Sequence, residues 1–506
     1  MSVLIVLLPP LIATALVCLP FKRSWAAGVT VVASLATLIL AARVAWLAAA
    51  GNSVTASLSA GWLKWIAVDG LSALILVLIA FVATTAAIYS VGYMAHGNLK
   101  AGKLRLYYIN YNLFVFSMLA IPVLAEPTLV WIVVEFTTLA SALLVSFENT
   151  REALEAAWKY VVLSLMGAGM ALFGFLVLFA AMQASGSTGA YTWDGLIAAA
   201  PTMPPVLLQT AFLLILIGLG TKVGLVPMHT WLPDAHSQAP SPVCALLSGI
   251  ETSAILYVIL RLFPVMQASP NSHAETWALV LGLISVGTAA FLLLQVRDYK
   301  RMFAFSTVEH MGIILTAVGL GASAAGYSAM QQIVSHCVTK SFCFFAAGAT
   351  LMAVGTREIA AVRGLIRKSP AAGVALVFGG QAIAGAPPMA VFLSEFSILK
   401  AGLTQAHLNE KWSYYYYVAT GLLAIFIVIA FFGIMLHINR MVFGVSENDA
   451  TNSELRTPNS ELRKFSLPFS CRLALILAAV PVLVLGVYIP QPLHDLLTQA
   501  AGALTK

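Results

Sequence analysis

The chain has 506 residues, 60% of them apolar and 9% charged, where an ordinary soluble domain carries roughly a quarter charged residues. The apolar residues fall in blocks of about 20 or more, the length that crosses a ~30 Å bilayer core, so the chain reads as an all-α polytopic membrane protein and not as a string of soluble domains. The net charge of +7 is spread over many loops, which excludes the single basic patch that a nucleic-acid partner needs.

In chain order, apolar runs bounded by charge, proline or glycine predict fourteen transmembrane helices, starting near residues 2, 25, 66, 107, 127, 156, 206, 240, 275, 302, 327, 371, 413 and 468. The first run, MSVLIVLLPPLIATALVCLPFKR, has no charged region ahead of it and no A-x-A site after it, so it reads as an uncleaved span. Spans of this length leave no sizeable soluble domain, and residues 1–506 are expected to form a single integral membrane domain. Function then has to sit in the bilayer. The five cysteines lie in or beside apolar runs without a CxxC pair and read as packing residues.

Lysine and arginine are retained on the cytoplasmic side of a membrane. Nineteen of the 27 follow odd-numbered helices, from Lys22 to Arg472, and six follow even-numbered ones. Both termini should therefore face outward from a cell inner (cytoplasmic) membrane. Lys222 and Lys340 lie inside spans and need another explanation. The polar stretch 445–466, which contains NSELR twice, reads as a cytoplasmic linker loop. Trp412 and Tyr414 to Tyr417 read as an interfacial aromatic belt.

A weak repeat carries more information. VPMHTWLPD at 226–234 can be laid over PPMAVFLSE at 387–395, matching Pro227 with Pro388 and Asp234 with Glu395. The two segments break the seventh and twelfth helices. These lie five apart, an odd number, so the two halves must insert upside down relative to each other. The chain is thus expected to hold two inverted five-helix repeats, at 107–265 and 275–443, with broken helices 7 and 12. Paired breaks of this kind point to an ion or substrate path near the bilayer midplane.

Ionised groups inside spans are costly and mark such paths. Glu135 sits in the fifth helix, and Lys222 lies five residues before Pro227. A buried Glu and Lys stabilise each other's charged forms, and moving one apart from the other shifts both titrations, which is a proton switch in outline. The second half supplies Glu309 and His310 in the tenth helix, His336 and Lys340 four apart on one face of the eleventh, and Glu395 beyond the break at Pro388. Histidine exchanges protons near neutral pH. Glu251, in the eighth helix, either faces the same axis or pairs with a cation. The candidate proton path is Glu135, Lys222, His229, Glu251, Glu309, His336, Lys340 and Glu395. His229, Asp234 and His236 are zinc-ligand types, but Pro233 interrupts their spacing, and HTWLPDAH reads as a loop that closes the broken helix with hydrogen bonds. The glycines at 167, 169, 174, 218, 220 and 224 read as helix-packing positions. No HExxH helix, nucleophile–base pair or nucleotide motif is found, so the chain shows no catalytic site of its own.

The stretches VEFTTLASALLV, EAAWKY, GLGTKVGLVPMHTWLPDAHSQAPSPVCALLS, RDYKRMFAFSTVEHMG, SHCVTKSFCFFAAG and GAPPMAVFLSEF run from about 130 to 400. They resemble the antiporter-like membrane subunits of respiratory complex I, energy-converting hydrogenases and cation/proton antiporters. DGLSALILVL, YSVGYM, FLSEF and the closing IPQP are most similar to the component F branch of hydrogenase-4. The resemblance implies a proton-translocating membrane subunit of a hydrogenase-like or complex I-like redox-driven pump. It further implies other membrane subunits and a peripheral redox arm as partners, with Ni–Fe and iron–sulfur centres in those partners and no cofactor in this chain. It assigns Glu135 and Lys222 to the input pair, His336 and Lys340 to the eleventh-helix carriers, and Glu395 to the exit. Relatives often place Lys or His in the eighth helix, where this chain has Ser248, Glu251, Thr252 and Ser253, so the central transfer step departs from the family pattern. The alternative is a subunit of a Na+/H+ antiporter without redox partners, which an oxygen-rich site for a hard cation would favour. No acidic cluster of that kind stands in the sequence.

Overall fold

Unpaired backbone groups are too costly in hydrocarbon, so long apolar segments close their hydrogen bonds within helices. The computed structural model describes residues 3–19, 23–51, 54–55, 65–97, 99–270, 272–445 and 465–505. Its early helices are α1 (Leu8–Cys18), α2 (Arg23–Ala49), α3 (Gly70–His96), α4 (Ala101–Ala120), α5 (Pro127–Val145), α6 (Arg151–Ala184) and α7 (Trp193–Ala199). The middle of the chain forms α8 (Pro205–Val223), α9 (Trp231–Gln238), α10 (Ser241–Leu246), a π-helical turn (Leu247–Glu251), α11 (Thr252–Leu260), α12 (Leu262–Gln267), α13 (Ala274–Gln295) and α14 (Tyr299–Gly319). Then follow α15 (Ala322–Val354), α16 (Leu365–Lys368), α17 (Pro370–Ile383), α18 (Ala390–Leu408), α19 (Ser413–Phe443), α20 (Phe469–Val487) and α21 (Gln491–Gly502). A two-residue antiparallel pairing, Val54–Thr55 with Ala67–Val68, joins the loop ahead of α3.

Among the described residues, twelve helices are long and apolar enough to cross a membrane, and Val3–Cys18 and Pro370–Ile383 are shorter apolar helices. The sequence expectation of fourteen spans thus meets twelve of full length and two short elements among the described residues. One of them, α17, is short because the twelfth helix is broken. Both expected breaks are present. α8 stops at Gly224, whose φ of +87° suits glycine, and α9 resumes at Trp231. α17 stops at Ile383, and α18 resumes at Ala390. The peptide bonds Val226–Pro227 and Pro387–Pro388 are both cis.

Side chains at the helix starts supply caps that the backbone cannot: Asp69, Glu126, Thr150 and Asp298 each accept from an N–H of the first turn. The loop cations that the charge count assigns to one side do converge. Asp234 accepts from Lys159 (3.2 Å) and Arg301 (2.6 Å), Ser237 donates to Asp298 (2.7 Å), and Arg357 donates to the Ser237 carbonyl. These groups close one end of the bundle. At the other end Arg261 holds Asp69 through two hydrogen bonds and also reaches Ser72 and Tyr257. Lys300 differs from its sequence reading as a loop cation: it is buried, and its Nζ donates to the Ala239 carbonyl.

Packing glycines bring α6 against α8. A side chain on Gly218 would meet the Ala171 backbone nitrogen at 2.6 Å, and one on Gly174 would meet Ile215 at 2.6 Å. Gly169 instead faces open space, and Gly224 serves the end of α8. Of the five cysteines, four are buried as expected and Cys18 is exposed. Trp412, Tyr414 and Tyr417 are exposed at the start of α19, as a belt requires. Except for its ends, the 445–466 stretch lies outside the described residues. The eighth span, Ser241–Gln267, is buried along its whole apolar window. It forms the middle of the bundle and brings Glu251 there.

Candidate functional site

Lys222 occupies the last turn of α8, beside the break, where a cation also faces the negative end of the helix dipole. It is 2% exposed. An ammonium that deep has to be saturated with acceptors, and α5 provides them: Nζ donates to the Val134 carbonyl (2.5 Å), Thr137 Oγ1 (2.6 Å) and Thr138 Oγ1 (2.5 Å).

Its ion pair is with Glu251, at 3.7 Å, and Glu251 is itself 1% exposed. This corrects the emphasis of the sequence reading, which paired Lys222 with Glu135 and left Glu251 open. Glu251 does both things that were weighed for it: it faces the axis and it pairs with a cation. The physical reason is the π-helical turn at Leu247–Glu251. Such a turn inserts one residue into the helix and re-aims the side chains that follow. Glu251 Oε1 also accepts from Thr137 (3.1 Å) and Tyr160 (3.2 Å), and the Tyr160 hydroxyl contacts Ser141 at 2.8 Å. Glu135 is partly buried within electrostatic reach of Lys222 but makes no ion pair with it, and its carboxylate oxygens have no hydrogen-bond partner among the described residues.

The opposite face of the same π turn meets the second repeat. His336 Nε2 donates to the Ser248 carbonyl (3.0 Å), Ser248 Oγ contacts Thr307 Oγ1 at 2.5 Å, and Gly249 packs on the α15 backbone at Cys337 with the Lys340 side chain 3.7 Å from where its Cβ would lie. One turn of helix therefore touches Lys222 on one side and His336 and Lys340 on the other. Lys340 is held much as Lys222 is, by a backbone carbonyl and a hydroxyl: Nζ donates to the Phe303 carbonyl (2.5 Å) and to Ser306 (2.6 Å) of α14. His336 and His310 face each other with ring centres 5.2 Å apart. His310 Nε2 donates to the carbonyl of Ile383, the last residue before the second break (3.1 Å). Glu395, 6% exposed, lies against Gly385 inside that break and within electrostatic reach of Glu309, which is 3% exposed.

Seven of the eight predicted site residues thus gather along one buried line from α5 to α18. His229 does not join it. It sits in the first break, its Nδ1 without a hydrogen-bond partner among the described residues. The other members of HTWLPDAH diverge as well, His236 to the Leu232 carbonyl (2.7 Å) and Asp234 to the charged end of the bundle. They do not converge as ligands. Sequence reasoning missed Thr137, Thr138 and Tyr160, because hydroxyls in apolar helices are too common to single out. It also missed Gln332 and Ser394, although buried Ser328, Gln332, Ser335 and Thr339 recur at helical spacing toward Lys340 and could have shown the polar stripe of α15.

Comparison with known proteins gives the family and the fold. The family described as NADH:quinone oxidoreductase/Mrp antiporter, transmembrane, matches residues 125–427. The family of the complex I chain 5 N-terminus matches 64–101. The hydrogenase-4 component F homolog of Methylacidiphilum infernorum is 36% identical over 430 residues, 84% of this chain and 85% of the relative. The Na+/H+ antiporter subunit A1 of Staphylococcus aureus is 30% identical over 357 residues, covering 67% of this chain and 43% of that longer protein. In fold, the chain matches the structure of the membrane-bound sulfane sulfur reductase, an archaeal respiratory membrane complex, with a TM-score of 0.85 at 22% identity over 100% of this chain and 98% of that one. It matches the Mrp complex of a Dietzia species with a TM-score of 0.84 at 20% identity, over 99% and 97% of the two chains. The chain belongs to the NADH:quinone oxidoreductase/Mrp antiporter transmembrane family and is one of its antiporter-like membrane subunits.

Proposed function

We propose that the chain carries protons across the membrane along the line from Lys222 and Glu251, through the π turn to His336, His310 and Lys340, and on to Glu309 and Glu395. The observation that carries this reading is the buried Lys222–Glu251 pair at 3.7 Å, positioned by a π turn whose other face holds His336. A static packing element has no need of a continuous series of titratable groups, each of which is expensive in a bilayer. Glu135 stands at the entry to the line, partly buried and within electrostatic reach of Lys222. The redox chemistry of this reading lies elsewhere. The chain would work as one membrane subunit beside others and a peripheral redox arm, with the Ni–Fe and iron–sulfur centres in partner subunits. Its 36% identity to a hydrogenase-4 component F homolog supports that assignment.

The second reading, a Na+/H+ antiporter subunit without a redox arm, is favoured by the identity of 30% to Na+/H+ antiporter subunit A1. Isolating the chain from its membrane in mild detergent separates the two. Hydrogenase-like or complex I-like subunits are expected to come with it, and a complex made only of antiporter subunits would overturn the redox assignment.

The convergence of Lys159, Arg301 and Arg357 at one end of the bundle supports placing that end in the cytoplasm of a cell with an inner membrane, with both termini outward. Single cysteines in 185–195 should react with a membrane-impermeant maleimide on intact cells. Those in 357–368 should react only after permeabilisation, and the reverse pattern would invert the topology.

A further inference from the structure

Gln332 is fully buried on α15 and joins His310 of the proposed path to Ser394, the residue before Glu395, without being able to carry a proton itself. Its Nε2 donates to Nδ1 of His310 (3.1 Å), and its Oε1 accepts from the Ser394 hydroxyl (2.5 Å). The other nitrogen of His310 faces the Ile383 carbonyl, which only accepts. Nε2 therefore bears the hydrogen, and Nδ1 is the acceptor that the amide fills. Ser394 has a second outlet for its hydrogen, the Val391 carbonyl at 2.9 Å.

We propose that Gln332 is a positioning residue, a two-state amide that couples the protonation of His310 to the hydrogen bonding of Ser394, the residue before Glu395. The inference rests on the proton-path reading. A proton arriving at Nδ1 turns an acceptor into a donor, and it would then point at the two hydrogens of the amide nitrogen. A half-turn of the amide removes the conflict. Oε1 then accepts from Nδ1–H, Nε2 donates to Ser394 Oγ, and the serine hydrogen moves to the Val391 carbonyl. Loss of the Nδ1 proton reverses all three changes. His310 Nδ1, the amide oxygen and the Ser394 hydroxyl each keep a partner in both settings, and no proton crosses the amide.

The amide thus insulates His310 from Glu395 as a conductor while transmitting its charge state to the start of α18. Protons reach His310 from the side of His336, whose Nδ1 has no hydrogen-bond partner among the described residues. The titratable groups around His310 are His336 and Lys340 from α15 and Glu309 on its own helix, and Glu395 on α18 stands within electrostatic reach of Glu309. The π turn presents a serine and its carbonyl at this point.

The test uses the chain in its native assembly in sealed membrane vesicles, with proton flux driven by a potassium diffusion potential and read with a pH-sensitive dye. Gln332→Leu keeps the volume and removes both hydrogen bonds, and it should lower the flux about a hundredfold, because His310, the proton-transfer group it positions, contributes at least that much. Gln332→Glu keeps one donor and one acceptor while protonated and should restore flux at acidic pH only. It also serves if the leucine variant fails to assemble. In protein grown with 13C-glutamine, one side-chain carbonyl band should shift between acid and alkaline pH, and that shift should vanish in Gln332→Leu and in His310→Phe. A glutamine spectrum indifferent to pH, or full flux in Gln332→Leu, would overturn the proposal. Lys222→Ala in the same vesicles keeps the two failures apart. If it blocks flux while Gln332→Leu does not, the relay alone is wrong. If it also leaves flux intact, the path itself is wrong.

Discussion

Lys222→Ala is expected to abolish proton flux through the chain, and this is the larger of the two principal effects. The variant removes the ammonium that Thr137, Thr138 and the Val134 carbonyl hold in place and leaves Glu251 without its cation. Breaking a buried ion pair from one side costs about 3–5 kcal/mol, because the remaining charge stays buried and uncompensated. The fold should therefore loosen as well, and loss of flux alone would not identify a carrier. The double variant Lys222→Ala with Glu251→Gln separates these effects. It removes both charges, should recover most of the stability seen in thermal unfolding of the purified assembly, and should still carry no protons. Recovery of flux along with stability would make the pair a packing element.

The sequence makes this half of the site legible because a lysine in an apolar run ahead of a proline is conspicuous: the cost of placing it there singles it out. The partner was harder to find. The π turn at 247–251 re-aims side chains in a way that no composition or periodicity signals. The same turn explains how a helix with no Lys or His at its centre can connect two halves, through the Ser248 carbonyl that His336 binds. His229 was legible as a polar residue in a break but not as one that stays apart from the line. The chain leaves α8 at Gly224 with a left-handed turn, and where it then carries the ring depends on tertiary packing. The two broken helices were readable from their prolines, and their glycine-lined contacts from the spacing at 167, 174 and 218. Lys300 keeps the side that the charge count gives it, but its burial was not legible, because a cation at a helix start looks the same in sequence whether it meets water or, as here, the Ala239 carbonyl.

Glu395→Gln should produce the second large effect. The carboxyl group lies against Gly385 in the break of the twelfth helix, where non-helical backbone at membrane depth is tolerated because it is buried in protein or lines a wet cavity. Glutamine matches its size and hydrogen bonding but has no exchangeable proton of suitable acidity, so flux should fall roughly 100-fold or more, as for loss of a general acid–base group. Glu395→Asp keeps the carboxyl one methylene further back and should retain part of the flux. Equal rates for the glutamine and aspartate variants would place the exit elsewhere.

The central claim is that one path runs through both repeats by way of the π turn. Its most direct test is proton flux under an imposed potassium diffusion potential in vesicles bearing Lys222→Ala, Glu395→Gln and the two combined. Groups that act as a unit give strongly non-additive losses, so the combined variant is predicted to be no worse than the more impaired single one. Partial losses in each single variant that add in the double would mean two independent half-channels and would contradict the continuous path.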